Sequence, residues 1–365
     1  MPVLYHKMAQ TAGSSYPEQR VQKRYDFSKK ETTQAIYLWF PATGLRYRGF
    51  GWKQLPDTTT IDPIIPVNPD TTSTGATDSL PSPLPTLGMD LTKTIHILGI
   101  GNSFTVDMLE QHFAPLCAGQ GINVVIGYPY AGGTVFTEHV QYYKNGTKAY
   151  DYRKWANGKS SATGEKTATL KQALLDEPWD MVTYQSYGSA MTYESTASAH
   201  EELQAIVKDN LTSPYKQALC MTWSDAQTGS LIEGDQQRTT DSIAYWAARN
   251  YNRYGYDMII PIGMAIQNAR TSFLGDNLNR DGHHLNMCEG RYIAALVLYE
   301  VITGKSSIGV HYHPENMTDF RALVCQEAAH AAILNPLHVT SLSEKGKCVF
   351  RTLLFSSNSF SAKIF

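Results

Sequence analysis

Cysteine is scarce in this chain: five in 365 residues, scattered at positions 117, 220, 288, 325 and 348, with no C-x-x-C pair. An odd, unclustered set argues against a disulfide framework and against a zinc site, and leaves buried thiols as the reading. Charge is thin as well. Charged residues make up 18% of the chain, the formal net charge is −2, and no Lys/Arg cluster is interleaved with the aromatics. Nucleic acid is therefore not an expected partner, because phosphate binding shows as a basic stripe. Long apolar runs are missing too, and none approaches the roughly 20 residues that span a bilayer. Residues 1–10 lack a charged region followed by an apolar one, so no signal peptide is read there. Hydrophobic residues at 42% supply ample material for a core, and the length allows one large domain with appendages.

The chain divides by composition. Residues 1–56 carry aromatics (Tyr37, Trp39, Phe40, Tyr47, Phe50, Trp52) that could form short strands, but are too few for an independent core and stay unassigned. Residues 57–90 are rich in Pro, Thr and Ser without periodicity and read as a semi-extended linker. Residues 91–340 alternate apolar runs of strand length with helical patterns. The expected strands are Ile95–Ile100, Asn123–Tyr128, Trp179–Tyr184, Gln217–Trp223 and Asp257–Ile262. Helices are expected near 104–120, 168–176, 198–210, 235–254, 263–272, 287–303 and 317–333. Near-continuous apolar strands alternating with helices predict an α/β fold, a three-layer α/β/α sandwich on a five-stranded, mostly parallel sheet. Residues 141–167, rich in Tyr, Lys, Gly and Ser, read as a surface insertion, and 341–365 as a poorly ordered tail.

The most informative stretch is Asp281-Gly282-His283-His284-Leu285-Asn286. A carboxylate three residues before an imidazole lets one turn deliver a base together with the acid that orients it. A nucleophile has a place upstream: the run Ile95–Ile100 stops at Gly101-Asn102-Ser103-Phe104, at the carboxyl end of a strand and the start of a helix. Ligands bind at such strand ends in parallel sheets, and helix N-termini favour developing negative charge. The plain alternative is that Ser103 is only a helix N-cap. Two further strand ends offer oxyanion donors: Ala131-Gly132-Gly133-Thr134, whose glycine amides can approach a carbonyl closely, and the Gln185 side chain.

These blocks, in this order, resemble the SGNH (GDSL-type) hydrolases. They are closest to a SGNH-like bacterial group known as domain of unknown function 4886, common in gut Bacteroidota. The shared blocks are Gly101-Asn102-Ser103-Phe104, then Ala265-Ile266-Gln267-Asn268-Ala269-Arg270-Thr271, then Arg280-Asp281-Gly282-His283-His284-Leu285. The resemblance implies a flavodoxin-like fold and ester hydrolysis with no cofactor and no metal, most fittingly removal of O-acetyl groups from glycans. Ser103 would be the nucleophile, His284 the base and then the acid, and Asp281 its orienting group. The Ser103 and Gly132 amides and the Gln185 side chain would form the oxyanion hole, with Asn102, Gly133 and Tyr187 as substrate contacts. Where the superfamily has an Asn in a Gly-x-Asn-Asp block, this chain reads Tyr184-Gln185-Ser186-Tyr187, one methylene longer. The same resemblance implies export in a Gram-negative bacterium, to the periplasm, the surface or the medium, and the Pro/Thr-rich segment is compatible with it.

Other readings compete. Tyr184-Gln185-Ser186-Tyr187-Gly188 partly matches a Gly-x-Ser-x-Gly elbow with Ser186 as nucleophile, but lacks the first glycine. Gly99-Ile100-Gly101 begins a dinucleotide fingerprint that fails at Phe104. His311-x-His313 could ligate a metal, although no acidic cluster completes a set. Tyr152, Trp155, Tyr187 and Trp223 could stack on a sugar. A non-catalytic carbohydrate-binding or adhesion module on the same scaffold is the alternative to an enzyme.

Overall fold

The computed structural model describes residues 2–9, 20–24, 46–54, 87–186, 197–229 and 235–342. The chain falls into two compact units, Met1–Ser73 and Thr74–Phe365. In the first, β1 (Pro2–Ala9), β2 (Arg20–Arg24) and β3 (Arg46–Gln54) form an antiparallel sheet in the order β2-β1-β3. Most of the 57–90 segment and the 341–365 tail lie outside the described residues.

The second unit is built on β4 (Ile95–Ile100), β5 (Val124–Tyr130), β6 (Asp151–Ala156), β7 (Lys159–Ala162), β8 (Met181–Tyr184), β9 (Lys216–Cys220) and β10 (Met258–Ile260). Their order is β10-β9-β8-β4-β5-β6-β7. The pairs from β10 through β5 are parallel. Val, Ile, Leu and Met fill both faces of these strands, as a sheet covered on both sides requires. The five parallel strands are those expected, but the sheet has seven. The insertion adds β6 and β7 as an antiparallel hairpin on β5. Its turn is Asn157-Gly158 with both φ angles positive, at 52° and 74°. An Asn-Gly pair favours that type I′ geometry.

Nine helices follow among the described residues: α1 (Ser103–Leu109), α2 (Phe113–Gly119), α3 (Phe136–Lys144), α4 (Leu170–Leu174), α5 (Ala197–Asn210), α6 (Gln236–Tyr254), α7 (Ile262–Arg270), α8 (Glu289–Thr303) and α9 (Asp319–Leu334). The helix expected over 104–120 is two. Gln111 takes a left-handed φ of 75°, and Pro115 then falls in the first turn of α2, where its missing N–H leaves no gap in the ladder. Helices α1, α2 and α8 pack on one another, as do α3, α4 and α5, and α8 is buried along nearly its whole length, mostly apolar but with Arg291 and Glu300 inside. The chain runs from β4 outward to β5, then returns to β8 on the other side of β4. That reversal makes the carboxyl ends of β4 and β8 the switch point of the sheet, where open α/β folds bind ligands.

Candidate active site

At the end of β4, Gly101 lets two chain segments meet. A Cβ there would lie 2.7 Å from the Gln185 carbonyl oxygen and 2.5 Å from its side-chain Oε1. The cap of α1 is Asn102, whose Oδ1 accepts the Phe104 N–H at 3.1 Å while its Nδ2 donates to the Thr134 carbonyl at 3.1 Å. Capping is thus performed by the neighbour, and the Ser103 hydroxyl is directed elsewhere: Ser103 Oγ lies 2.8 Å from His284 Nε2.

His284 sits on a tight loop. The Arg280 N–H donates to the His284 carbonyl at 2.8 Å, Asn279 and Leu285 form an isolated bridge, and Gly282 takes a φ of +83°. Asp281 Oδ2 lies 2.8 Å from His284 Nδ1, and its Oδ1 accepts the N–H groups of His283 and His284 at 3.0 and 2.7 Å. Slight burial alone would raise this carboxyl. The His284 amide, the His284 ring and the His283 amide outweigh it and hold Asp281 well below the usual carboxylate range. An ionised Asp281 accepts only, so Nδ1 carries the proton and Nε2 presents its lone pair to the serine hydroxyl.

Arg280 does not pair with the adjacent Asp281. It donates to Asp107 Oδ1 at 2.8 Å, and the same fully buried carboxylate takes Arg291 at 2.8 Å and the Leu285 N–H at 2.8 Å. Asp107 therefore ties the helix that begins with Ser103 to the loop that carries His284.

Gln185, at the end of β8, is fully buried. Its Oε1 accepts the N–H groups of Asn102 and Thr105 at 3.1 and 3.0 Å and the Thr105 hydroxyl at 2.8 Å. Two backbone donors fix which end of the amide is oxygen. Its Nε2 is buried with no hydrogen-bond partner among the described residues. Gly132 and Gly133 are exposed in the turn after β5, which Asn102 holds through the Thr134 carbonyl, and Gly133 has a φ of +72°. Tyr187 lies outside the described residues.

The competing motifs land elsewhere. Ser186 is buried, and among the described residues its Oγ has no hydrogen-bond partner that could act as a base. His313 Nε2 lies 3.1 Å from Asp319, and among the described residues no group of three or more His, Cys, Asp or Glu side chains could hold a metal. Trp223 is a core residue stacked on Phe104, with centroids 4.3 Å apart. Tyr152 donates to Asp176, and Trp155 lines a separate cleft with Glu110 and Arg153.

Sequence reasoning missed a second imidazole–carboxylate pair. His283 Nδ1 lies 2.6 Å from Oδ1 of Asp225, a buried residue five positions beyond β9. The strand-end rule that singled out Gln185, applied to the fourth parallel strand, points to the same stretch.

A family model described as Domain of unknown function (DUF4886) matches residues 96–332. A crystal structure of a DUF4886 family protein from Bacteroides uniformis is 36% identical, with a TM-score of 0.66 over 69% of this chain and 99% of that one. A protein from Slackia heliotrinireducens, provisionally described as an SGNH hydrolase, is 20% identical over 57% of this chain and 99% of its own, with a TM-score of 0.40. A protein from Parabacteroides merdae, provisionally described as a GDSL-like lipase, is 15% identical over 60% of this chain and 100% of its own, with a TM-score of 0.40. No curated protein matches the chain. The chain belongs to the DUF4886 family.

Proposed function

We propose that this protein is a serine ester hydrolase that removes O-acetyl or similar small acyl groups from carbohydrate. The observation that carries the reading is the continuous line from Asp281 through His284 to Ser103, with 2.8 Å at each step. Ser103 Oγ attacks the acyl carbonyl while His284 Nε2 takes its proton, giving a tetrahedral oxyanion and an imidazolium stabilised by Asp281. The Ser103 and Gly132 amides receive the oxyanion, joined by Gln185 Nε2, a buried donor with no partner among the described residues. Collapse breaks the ester C–O bond and His284 returns the proton to the leaving alkoxide. Water, deprotonated by the same imidazole, then attacks the acyl-Ser103, and release of the acid restores the hydroxyl.

The glycan substrate and an extracytoplasmic setting follow from the family resemblance and the Pro/Thr-rich segment, and belong to the proposal. The test is hydrolysis of p-nitrophenyl acetate, and acetate release from acetylated polysaccharides, by the wild type, Ser103→Ala and His284→Ala. Both variants are expected to lose several orders of magnitude in kcat. Residual rates within tenfold of wild type would assign the chemistry to another nucleophile. Polysaccharide binding without turnover by all three proteins would favour the carbohydrate-binding module.

A further inference from the structure

Adjacent residues of one loop, His283 and His284, each direct Nδ1 at a carboxylate, and the proposed reaction uses only the second pair. We propose that His283, held by Asp225, is a positioning residue that keeps the His284 imidazole in bonding register with Ser103. This rests on the ester-hydrolase reading of that site.

Three observations carry it. The Asp225 side is built to hold. Asp225 is buried, the Arg270 guanidinium donates to the main-chain carbonyls of Ser224 and Asp225 at 3.0 and 3.2 Å, and Gln236 Nε2 donates to the Asp225 carbonyl at 2.9 Å. Gly229 lies so close that an added Cβ would meet Asp225 Oδ2 at 2.6 Å. The hold also extends through the loop backbone. Trp223 Nε1 and Asn279 Nδ2 donate to the His283 carbonyl at 3.0 and 2.9 Å, and the Ala226 N–H donates to the Gly282 carbonyl at 2.8 Å. Finally, one aromatic ring joins base and nucleophile. Phe104, next in sequence to Ser103, stacks on Trp223 and lies 4.6 Å from the His283 ring and 5.8 Å, edge-on, from the His284 ring.

His284 itself leans on Asp281, whose side chain is 49% exposed on the same small loop. A local pair sets the tautomer and ring orientation, but it moves with the loop. Only a contact to another part of the chain fixes where the loop stands relative to Ser103. His283→Asp225 supplies that contact from the β9 side, as Arg280→Asp107 does from α1. Displacement of a reacting group by about 1 Å can reduce turnover a hundredfold.

The test compares His283→Ala, Asp225→Ala and His283→Asn in the full chain. Asn places an amide N–H where the imidazole Nδ1–H stood, so it keeps the hydrogen bond to Asp225 and spares a buried unpaired carboxylate. Expected are a fall in kcat of roughly tenfold to a hundredfold in both Ala variants with KM within about twofold, and recovery of most of that loss in His283→Asn. An activity-independent arm follows the His284 Nδ1–H proton by NMR: its downfield resonance should broaden in the Ala variants and sharpen again in His283→Asn. Unchanged kcat and an unchanged resonance in the Ala variants overturn the proposal. So does a rise in KM with kcat preserved, which would make His283 a substrate contact. A wild type without Ser103-dependent turnover would defeat the ester reading, while the NMR arm would still decide the positioning role.

Discussion

His283 and His284 differ by one position in sequence and by almost everything else. Asp281, the partner of His284, lies three residues away on the same loop with a half-exposed carboxyl, whereas Asp225, the partner of His283, lies 58 residues away and is 2% exposed. A local pair orients a ring. A long-range buried pair anchors a backbone. The same chemical contact therefore serves two purposes, separated by what the carboxylate is attached to.

The sharpest way to break this distinction is a pair of isosteric changes. Asp281→Asn should lower kcat by about 10⁴, because the amide can donate to Nδ1 and favours the wrong tautomer. Asp225→Asn should cost no more than about a hundredfold, since only position is disturbed. Steady-state kinetics on one ester decides, and equal losses would erase the difference between the pairs.

A second comparison sets these histidines against His139 and His200, whose Nδ1 atoms face no carboxylate among the described residues but the hydroxyls of Tyr150 and Tyr256. Burial lowers their pKa to about 3 and about 4. Both titrate near 6.5 when unfolded, so below that pH the unfolded chain binds protons the folded chain refuses. Stability is full above about pH 6.5 and falls toward pH 4, by up to roughly 1.4 kcal/mol per pH unit for each group. The depressed carboxyl of Asp281 acts lower, below its unfolded value near 4, where it overlaps only the last part of the His139 loss. Urea midpoints at pH 7.5 and 5 should converge in His200→Gln relative to wild type. An unaltered difference would remove His200 from the account.

The smallest expected effect is at Gly282. Its φ of +83° strains any L side chain, although an added Cβ would meet nothing nearer than Gly229 Cα at 3.6 Å. Gly282→Ala should cost about 1 kcal/mol in stability through backbone strain alone. A loss of several kcal/mol in chemical denaturation would mean the loop has less room than the contacts indicate.

How much of this was legible follows the same line between local and distant. Asp281 and His284 could be paired from the sequence because three residues of one turn separate them. Ser103 could be placed because the apolar run 95–100 names a strand and its end. The strand-end rule reaches the stretch of Asp225, but the partners of Asp225 and Asp107 could not be read, since the meeting of β9's extension with a loop at 283, or of α1 with Arg280 and Arg291, is a product of packing. The hairpin β6–β7 was legible in part. Its Asn157-Gly158 turn is a sequence signal, but the strands beside it lack apolar alternation: β6 is half-buried throughout and β7 is exposed. Gln185 was placed at the right strand end, while the occupation of its oxygen by the Asn102 and Thr105 amides depends on a glycine at 101, just beyond the end of β4.

That hairpin bears on a matter apart from catalysis. Without it, β5 would end the sheet with Val124-Val125-Ile126-Gly127-Tyr128, an apolar edge with unpaired amides able to recruit a strand from a second chain. β6 covers that edge, and the new margin, Lys159–Ala162, is four residues long, polar and headed by a lysine. Short, charged margins resist edge-to-edge growth, so the insertion works as a guard against aggregation for a sheet that carries its chemistry elsewhere.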